Sequence, residues 1–446
     1  MANNKEKLLR RCAVNSVWSE SVEMGGFDRL DGDAACDVLI IGAGIAGVLC
    51  AYFLKEQGVD YLLVEAKKVG CGITKNTTAQ ITAQHELIYS ALIKNNGPEK
   101  AKQYLDANLW AIEKYAVLSQ NFDCDFERKA AYTYTLSDRA RIEQEVVAVN
   151  SLGFAAELTE KITLPLDVKG AVKFDNQAQF NPLKFLKGIS EKLNIRENTY
   201  VEKVKGTTAY TKHGQIKAKQ IIIATHFPFV NTHGLYFAKM FQNRSYVLAL
   251  EGAPDVNGMY VDEGQYGMYF RNYEKLLLVG GGDHRTGKKG GAFEELRNFS
   301  KTYYPDSVEK YAWATQDCMT LDGVPYIGRY SSTTPDMYVV TGFNEWGMST
   351  AMVAARILTE LILEKTSEFA DVFSPARSML KKQLFVNGAE TIGNLLCPTA
   401  KRCPHLGCAL KWNRAEHTWD CPCHGSRFDE NGRLIDNPAM KGASVK

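Results

Sequence analysis

Residues 37–65 read DVLIIGAGIAGVLCAYFLKEQGVDYLLVE, and the order of residue types in this stretch decides the fold. Val38 to Ile41 is an apolar run long enough for one buried parallel strand. Gly42, Gly44 and Gly47 follow in the spacing G-x-G-x-x-G. An apolar helix pattern then runs to Gln57, where Gly58 stops it. Tyr61 to Val64 is a second buried strand, and Glu65 stands at its end, 23 positions after Gly42. A glycine triplet between two strand runs, with an acid after the second, is a complete βαβ dinucleotide fingerprint. Gly42 serves the tight turn, Gly44 the approach of backbone N–H groups to a pyrophosphate, and Gly47 the close packing of helix on strand. The helix N-terminus adds a positive dipole end for the phosphates, and Glu65 accepts hydrogen bonds from ribose hydroxyls.

The chain of 446 residues has room for two or three domains and a large core. Its net charge of +2 gives no electrostatic case for nucleic acid or an anionic surface. The first twenty residues lack the apolar core of a signal peptide. Val38 to Leu54 is short for a membrane span and carries the glycine fingerprint, so no membrane span is expected and the localisation expected is cytoplasmic. Of 11 cysteines, five (Cys397, Cys403, Cys408, Cys421, Cys423) crowd into the last fifty residues. The others are scattered singly, as reduced thiols are.

Residues 67–87, KKVGCGITKNTTAQITAQHEL, are rich in Gly and Thr and suit a loop passing near a ligand. Periodicity predicts amphipathic helices over 86–120 and 137–152, a strand at Ala130 to Leu136, and a buried strand at Gln220 to Thr225 (QIIIAT). Residues 240–285 are dense in strand-like runs and predict an antiparallel sheet on the substrate side. Residues 312–362 lead through the strand MYVV (337–340) and the turn TGFNEWG to an apolar helix starting near Gly347. That helix start offers a second dipole end, suited to negative charge on a reduced flavin.

Taken in order, the fingerprint, the Gly-Thr loop, the IIIAT strand and the D-G-V-P-Y-I-G…T-G-F…W-G pattern resemble flavoenzymes of the D-amino-acid oxidase and glycine/sarcosine oxidase type over about residues 35 to 366. The resemblance implies FAD as the nucleotide, and a small-molecule substrate oxidised at a C–N bond over the flavin. It carries Gly42, Gly44, Gly47 and Glu65 over as FAD-binding residues, with Gly72, Thr74, Val204, Gly342 and Gly347, and with Asp322 and Gly323 in the same pattern. Three side chains are catalytic candidates. Arg271 is either a bidentate fork for a substrate carboxylate or a structurally paired buried arginine, and His85 and His284 are placed near the pocket. Cys318 is either a packed thiol or a tether for the flavin.

Residues 403–426 carry C-P-H-L-G-C, a spacer, and C-P-C-H-G-S. The C-x-H and C-x-x-H pairs supply two thiolates and two imidazoles, the ligand set of a Rieske [2Fe–2S] centre. They resemble the two ligand boxes of Rieske proteins. By that resemblance Cys403 and Cys421 hold one iron, His405 and His424 the other, Cys408 and Cys423 form a disulfide, and Ser426 hydrogen-bonds a bridging sulfide. Phe428 stands where those domains often carry tyrosine, and the missing hydroxyl implies a lower potential. Zinc is the alternative metal, since Cys₂His₂ is also a tetrahedral zinc set, although C-x-H is poor zinc-finger spacing. The apolar helix ends near Lys365, only 38 residues before Cys403, so the cluster lobe is expected on a shortened base.

The fold class expected is α/β: a Rossmann-like FAD-binding domain (31–90, 170–235 and 311–366), an α+β substrate domain with an antiparallel sheet (91–169 and 236–310), a linker (367–390), and a small all-β Rieske lobe (391–446). The function expected is FAD-dependent oxidation of an amine or amino acid, with electrons leaving through the [2Fe–2S] cluster to an acceptor that includes a partner protein among the candidates. A plain oxidase passing electrons to oxygen, with a vestigial cluster lobe, is one alternative. A redox carrier whose flavin is reduced by a partner protein is the other.

Overall fold

The computed structural model describes residues 16–264 and 267–445. Two large sheets and one small one account for its strands. The first is built on the dinucleotide crossover. Ala34–Ile41 lies between Gly214–Ile223 and Tyr61–Val64, parallel to both, with Ile40 opposite Ile222 and Leu63. Thr334–Thr341 continues the sheet in parallel beside Gly214–Ile223, Ile195–Arg196 extends it beyond Tyr61–Val64, and Tyr326–Ser331 closes one edge antiparallel. Helices cover both faces of such a sheet, so its strands read as continuous apolar runs rather than alternating ones. Leu39, Ile40, Leu63, Ile221, Ile222 and Ile223 are fully buried.

The glycines of the crossover behave as their spacing requires. Gly42 has φ of 105°, and a Cβ there would meet the Ala224 carbonyl oxygen at 2.5 Å. A Cβ on Gly47 would lie 1.9 Å from the Gly42 oxygen. The helix Ile45–Glu56 therefore sits directly on the strand pair and buries Ile45, Val48, Leu49, Cys50 and Ala51 against it. The helix Gly347–Ile362 packs on Ile45–Glu56 from the same side.

The second sheet runs in the order Val308–Thr320, Met240–Glu251, Leu276–Arg285, Tyr269–Tyr273, Met259–Asp262, Glu127–Thr135, Gly170–Gln179, Gln80–Ile81. It departs from the domain boundaries expected from sequence. Strands 80–81 and 170–179, and residues 311–320 of strand 308–320, all expected in the FAD-binding domain, pair into this second sheet instead. Strand 308–320 reads as a continuation of the closing pattern, but its register with 240–251 is what claims it. The helix expected over 86–120 is two helices, Ile88–Asn96 and Pro98–Leu118, broken where Gly97 takes φ of 87° and Pro98 begins the second. Helix Ala292–Tyr303 covers the far face of the sheet, with Phe293 and Leu296 on Leu248 and Val279.

The third sheet is four short antiparallel strands, Lys411–Asn413, Thr418–Asp420, Arg427–Phe428 and Leu434–Asp436. No strand precedes the first cysteine box among the described residues between 367 and 402. Helices Ala370–Phe373 and Lys382–Leu396 occupy that interval, so the expected linker 367–390 is largely structured. Among the described residues no helix is long and apolar enough to cross a membrane.

Replacing Gly47 by alanine forces helix and strand apart. Overpacking of this kind costs about 1–3 kcal/mol, so Gly47→Ala is expected to lower the denaturant midpoint and to empty the purified protein of flavin, both measurable in one urea titration followed by absorbance.

Candidate functional site

The first part of the site is the crossover turn. Glu65 accepts hydrogen bonds from the N–H groups of Ala43 (2.9 Å) and Lys67 (2.8 Å). Burial pushes its carboxyl above the usual range against those two bonds. Thr74 accepts from the N–H of Ile45 at 3.0 Å, so the Gly-Thr loop touches the first turn of the helix. Gly72 leaves open space where a Cβ would stand. Val204 lies apart, on the hairpin Val201–Lys205/Thr208–Thr211 at the margin of the first sheet. Gly342 takes φ of 72° at the end of strand 334–341, and Gly347 begins the helix behind it.

The three catalytic candidates are all closed in. Arg271 is 1% exposed. Its guanidinium donates to the carbonyls of Thr78, Ala79 and Asn272 and lies over Trp18. Trp18 in turn donates to the Thr77 carbonyl at 2.7 Å. The pair braces the 77–79 loop, and of the two roles read from sequence the structure displays the structural pairing. His85 bonds Tyr104, the Thr82 carbonyl and Ser349, and stacks on Trp346 at 4.9 Å. Burial drives its pKa down to about 3, so it is a neutral strut between the 82–86 loop and the helix start. His284 bonds Tyr246 and the Arg285 carbonyl, and Tyr246 donates onward to Glu416 of the small sheet's lobe. Cys318 is fully buried, with its thiol on the His226 carbonyl.

Four carboxylates that no sequence motif marks come together where these elements meet. Asp283 sits in a β-bulge: between Arg244↔His284 and Tyr246↔Gly281 the strand 276–285 carries one extra residue. Asp317 lies on strand 308–320, opposite Asn243, with strand 240–251 between it and the strand of Asp283. Glu345 holds φ of 75° just before the helix at Gly347, and the N–H of Asn344 bonds the Cys318 carbonyl next to Asp317. Glu86 follows His85, whose ring stacks on Trp346 beside Glu345. Glu86 and Glu345 are exposed, and Asp283 and Asp317 are half-buried. Burial, and then the neighbouring acids, push Asp283 and Glu345 well up, and burial pushes Glu86 and Asp317 up to about 7.

The tail forms the other part. Loops 403–408 and 421–426 face each other, tied by a disulfide between Cys408 and Cys423. Cys403 and Cys421 are both buried and in contact. That contact lowers the pKa of Cys403 and raises that of Cys421, as two sulfurs sharing one proton do. Ser426 also hydrogen-bonds Cys403. The rings of His405 and His424 lie 4.9 Å apart at 85°. Burial lowers their pKa values to about 4 and about 3, so both are neutral, as a metal ligand must be. His405 donates Nε2–H to Asn231 Oδ1 at 3.0 Å, which leaves Nδ1 as the bare nitrogen. The Nδ1 atoms of both rings are buried without a hydrogen-bond partner. Two sulfurs and two orphaned imidazole nitrogens suit a [2Fe–2S] centre.

These loops rest on the body of the protein. Gln242 donates to the His424 carbonyl (2.7 Å) and Gln316 to the Gly425 carbonyl (2.9 Å). Arg285 donates to the carbonyls of Pro422 and Cys423. Asn437 donates to the carbonyls of Thr225 and Phe227, just past the central strand 214–223. The imidazoles face Phe227 and Phe237. Glu416 is clasped between Arg244 of the body and Arg427 of the lobe. None of these docking residues carries a sequence signal, because each meets a backbone group far along the chain.

Residues 37–361 match the family model described as FAD dependent oxidoreductase, and residues 361–445 match the Rieske [2Fe-2S] domain. The chain is 34% identical to YhfW of Bacillus subtilis (strain 168), over 96% of this chain and 97% of that protein, whose name describes a Rieske 2Fe-2S iron-sulfur protein. It is 23% identical to gamma-glutamylputrescine oxidoreductase of Escherichia coli (strain K12), over 78% of this chain and 88% of that one. Among solved structures, glycine oxidase from Geobacillus kaustophilus superposes with a TM-score of 0.65 at 16% identity, covering 77% of this chain and 99% of that chain, which speaks for the fold.

Burial raises the Glu416 carboxyl, but Arg244 and Arg427 outweigh it and hold the pKa at about 2, below the ordinary 4.5. A depressed carboxylate contributes stability above its unfolded pKa and loses it as pH falls through the folded one. The lobe is therefore expected to loosen between about pH 4.5 and 2, seen as rising protease sensitivity of the 366–402 segment. Glu416→Gln at neutral pH leaves two guanidinium groups short of a partner, and a loss of about 3–5 kcal/mol is expected by chemical denaturation.

Proposed function

The chain belongs to the FAD dependent oxidoreductase family and ends in a Rieske [2Fe-2S] domain, and from this premise we propose that it oxidises a small amine or amino acid and passes the electrons internally from FAD to the cluster and on to an acceptor. FAD supplies two-electron chemistry and the cluster one-electron transfer. Gly42, Gly44, Gly47, Glu65, Gly72 and Thr74 hold the nucleotide end of FAD, and Gly342 and Gly347 receive the flavin edge, while Val204, on its hairpin apart from both, is given no contact. Cys403 and Cys421 hold one iron, and His405 and His424 hold the other. With a Rieske domain matched, the zinc reading of the tail is set aside.

One observation carries the relay. The imidazole edge of the cluster loops is turned inward, onto Phe227, Phe237 and Asn231, beside the carboxyl end of the strand that pairs with the dinucleotide crossover. A lobe working with an outside donor would turn that edge to solvent. The amine part of the reading is supported by the relative named for gamma-glutamylputrescine and by the shortage of free cations around the carboxylates described above.

The relay is tested by anaerobic reduction with candidate amines and amino acids, watching flavin absorbance and cluster EPR together. The expected outcome is bleaching of the flavin followed by the EPR signal of a reduced cluster. In Cys421→Ser the bleaching persists, while reduction of a one-electron dye falls by at least about tenfold. Peroxide production undiminished by that substitution would count against the relay. Phe428 is fully buried in the same core as Cys403 and Cys421. The cluster midpoint is expected below the upper end of the Rieske range, about +300 mV, and Phe428→Tyr should raise it in a redox titration.

A further inference from the structure

Glu86 and Asp317 both bear on the ionisation of Asp283, and all three bear on that of Glu345, and among the described residues none of the four makes an ion pair or a side-chain hydrogen bond. Asp283 Oδ1 is sealed from solvent with no partner. The cations that reach the group are already engaged: Arg244 is clasped to Glu416, and Arg141 to Glu263. A second kind of group points the same way. Thr315 lies two residues before Asp317, so strand alternation puts both on one face. Thr315 is 7% exposed, and its hydroxyl is buried with no partner. Trp313, on that same face, reaches the Asn76 carbonyl in the Gly-Thr loop, so the face looks toward the crossover and not toward bulk solvent. Buried polar groups without partners are few in native proteins, and each asks for a missing one.

The missing partner is not a single metal ion. Among the described residues the only acids, histidines or cysteines whose ligand atoms gather closely enough for one ion are Cys408, Cys421 and Cys423. The four carboxylates are spread more widely than that, as separate charges on an extended molecule would be.

We propose that this group of carboxylates takes a substrate bearing two or more positively charged nitrogens, a di- or polyamine or an N-substituted form of one, and that it discriminates against α-amino acids. The proposal rests on the amine-oxidation reading above and narrows it. An amino acid would bring its own carboxylate among four others, and the arginines that reach the group among the described residues, Arg141 and Arg244, are engaged elsewhere. A diamine puts one nitrogen at the reacting end and leaves the second as an ammonium paired with Asp283 or Glu345. At the reacting end the nitrogen first gives its proton to a carboxylate of the group, for which Asp317 is placed. The C–H bond on the adjacent carbon then breaks, its electron pair and hydrogen pass to FAD, and the nitrogen lone pair closes a C=N bond. Water hydrolyses that bond to a carbonyl compound and the released amine.

The test uses the full-length protein with FAD and cluster in place, under anaerobic conditions. It reads binding as a shift of the flavin absorbance, independent of turnover. The probes are 1,4-diaminobutane and spermidine against n-butylamine, glycine and proline. The expected result is an apparent Kd at least about tenfold lower for 1,4-diaminobutane than for n-butylamine, with added salt eroding the difference. Asp283→Asn and Glu345→Gln, each checked for unchanged FAD content, should both reduce that preference by about tenfold. Glycine or proline binding as tightly as the diamine overturns the proposal, as does a preference that survives both substitutions, or the absence of any shift with millimolar diamine or spermidine. The relay fails or stands separately: dithionite reduction with cluster EPR reports it with no amine present, and diamine binding without flavin bleaching counts against amine oxidation while leaving the charge selectivity of the carboxylates intact.

Discussion

Glu416 reaches out of the small sheet's lobe and is gripped by Arg244 of the body and Arg427 of the lobe itself. Arg427 also bonds Asp420 and Asp436, so one guanidinium ties three acids of the lobe together. The network is nearly sealed from water, with Arg244 at 2% exposure. Buried ion pairs of this kind add little net stability but are costly to break singly, so they select one arrangement over others. Here the arrangement selected is the seat of the cluster loops on the body. The contacts of Gln242, Gln316, Arg285 and Asn437 with loop carbonyls all presuppose that seat.

The seat explains why the lobe does without the strands that precede the first ligand box in other domains of its kind. A small four-stranded sheet has little apolar area of its own to bury. Its core is a handful of residues around Cys403, Cys408, Cys421, Cys423 and Phe428. The body supplies the missing support through polar contacts to backbone, and helix Lys382–Leu396 caps the first loop, accepting the N–H of Ala409 at the Asn394 carbonyl. Close approach leaves its marks on the glycines. A Cβ on Gly425 would meet Gln242 at 2.7 Å, and one on Gly287 would meet the Pro422 nitrogen at 2.8 Å.

Charge is sorted unevenly along the molecule. Glu86, Asp283, Asp317 and Glu345 make no ion pair among the described residues. The imidazole edge is neutral and walled by aromatic rings. Arg244 stands between them. It lowers the Asp317 carboxyl from one side and the Glu416 carboxyl from the other. One buried cation thus bears on both this group of carboxylates and the docking of the lobe.

What the sequence determined by itself was whatever is written in short spacings. G-x-G-x-x-G between two strand runs, C-x-H and C-x-x-H each place their groups within a few residues, where backbone geometry does the positioning and no long-range contact is needed. The crossover and the two cofactors were legible for that reason. So was the antiparallel sheet, through the density of its strand runs, though not its membership. Strands 170–179 and 308–320 joined it because register with distant strands, and not local pattern, decides pairing. The tertiary structure alone decided the rest. It showed the side chains of Arg271, His85 and His284 hydrogen-bonded to neighbouring groups. It also gathered Glu86, Asp283, Asp317 and Glu345 from widely separated segments. A carboxylate in a sequence looks the same whether it ends in solvent or beside three others, since its chemistry is set by what the fold brings against it.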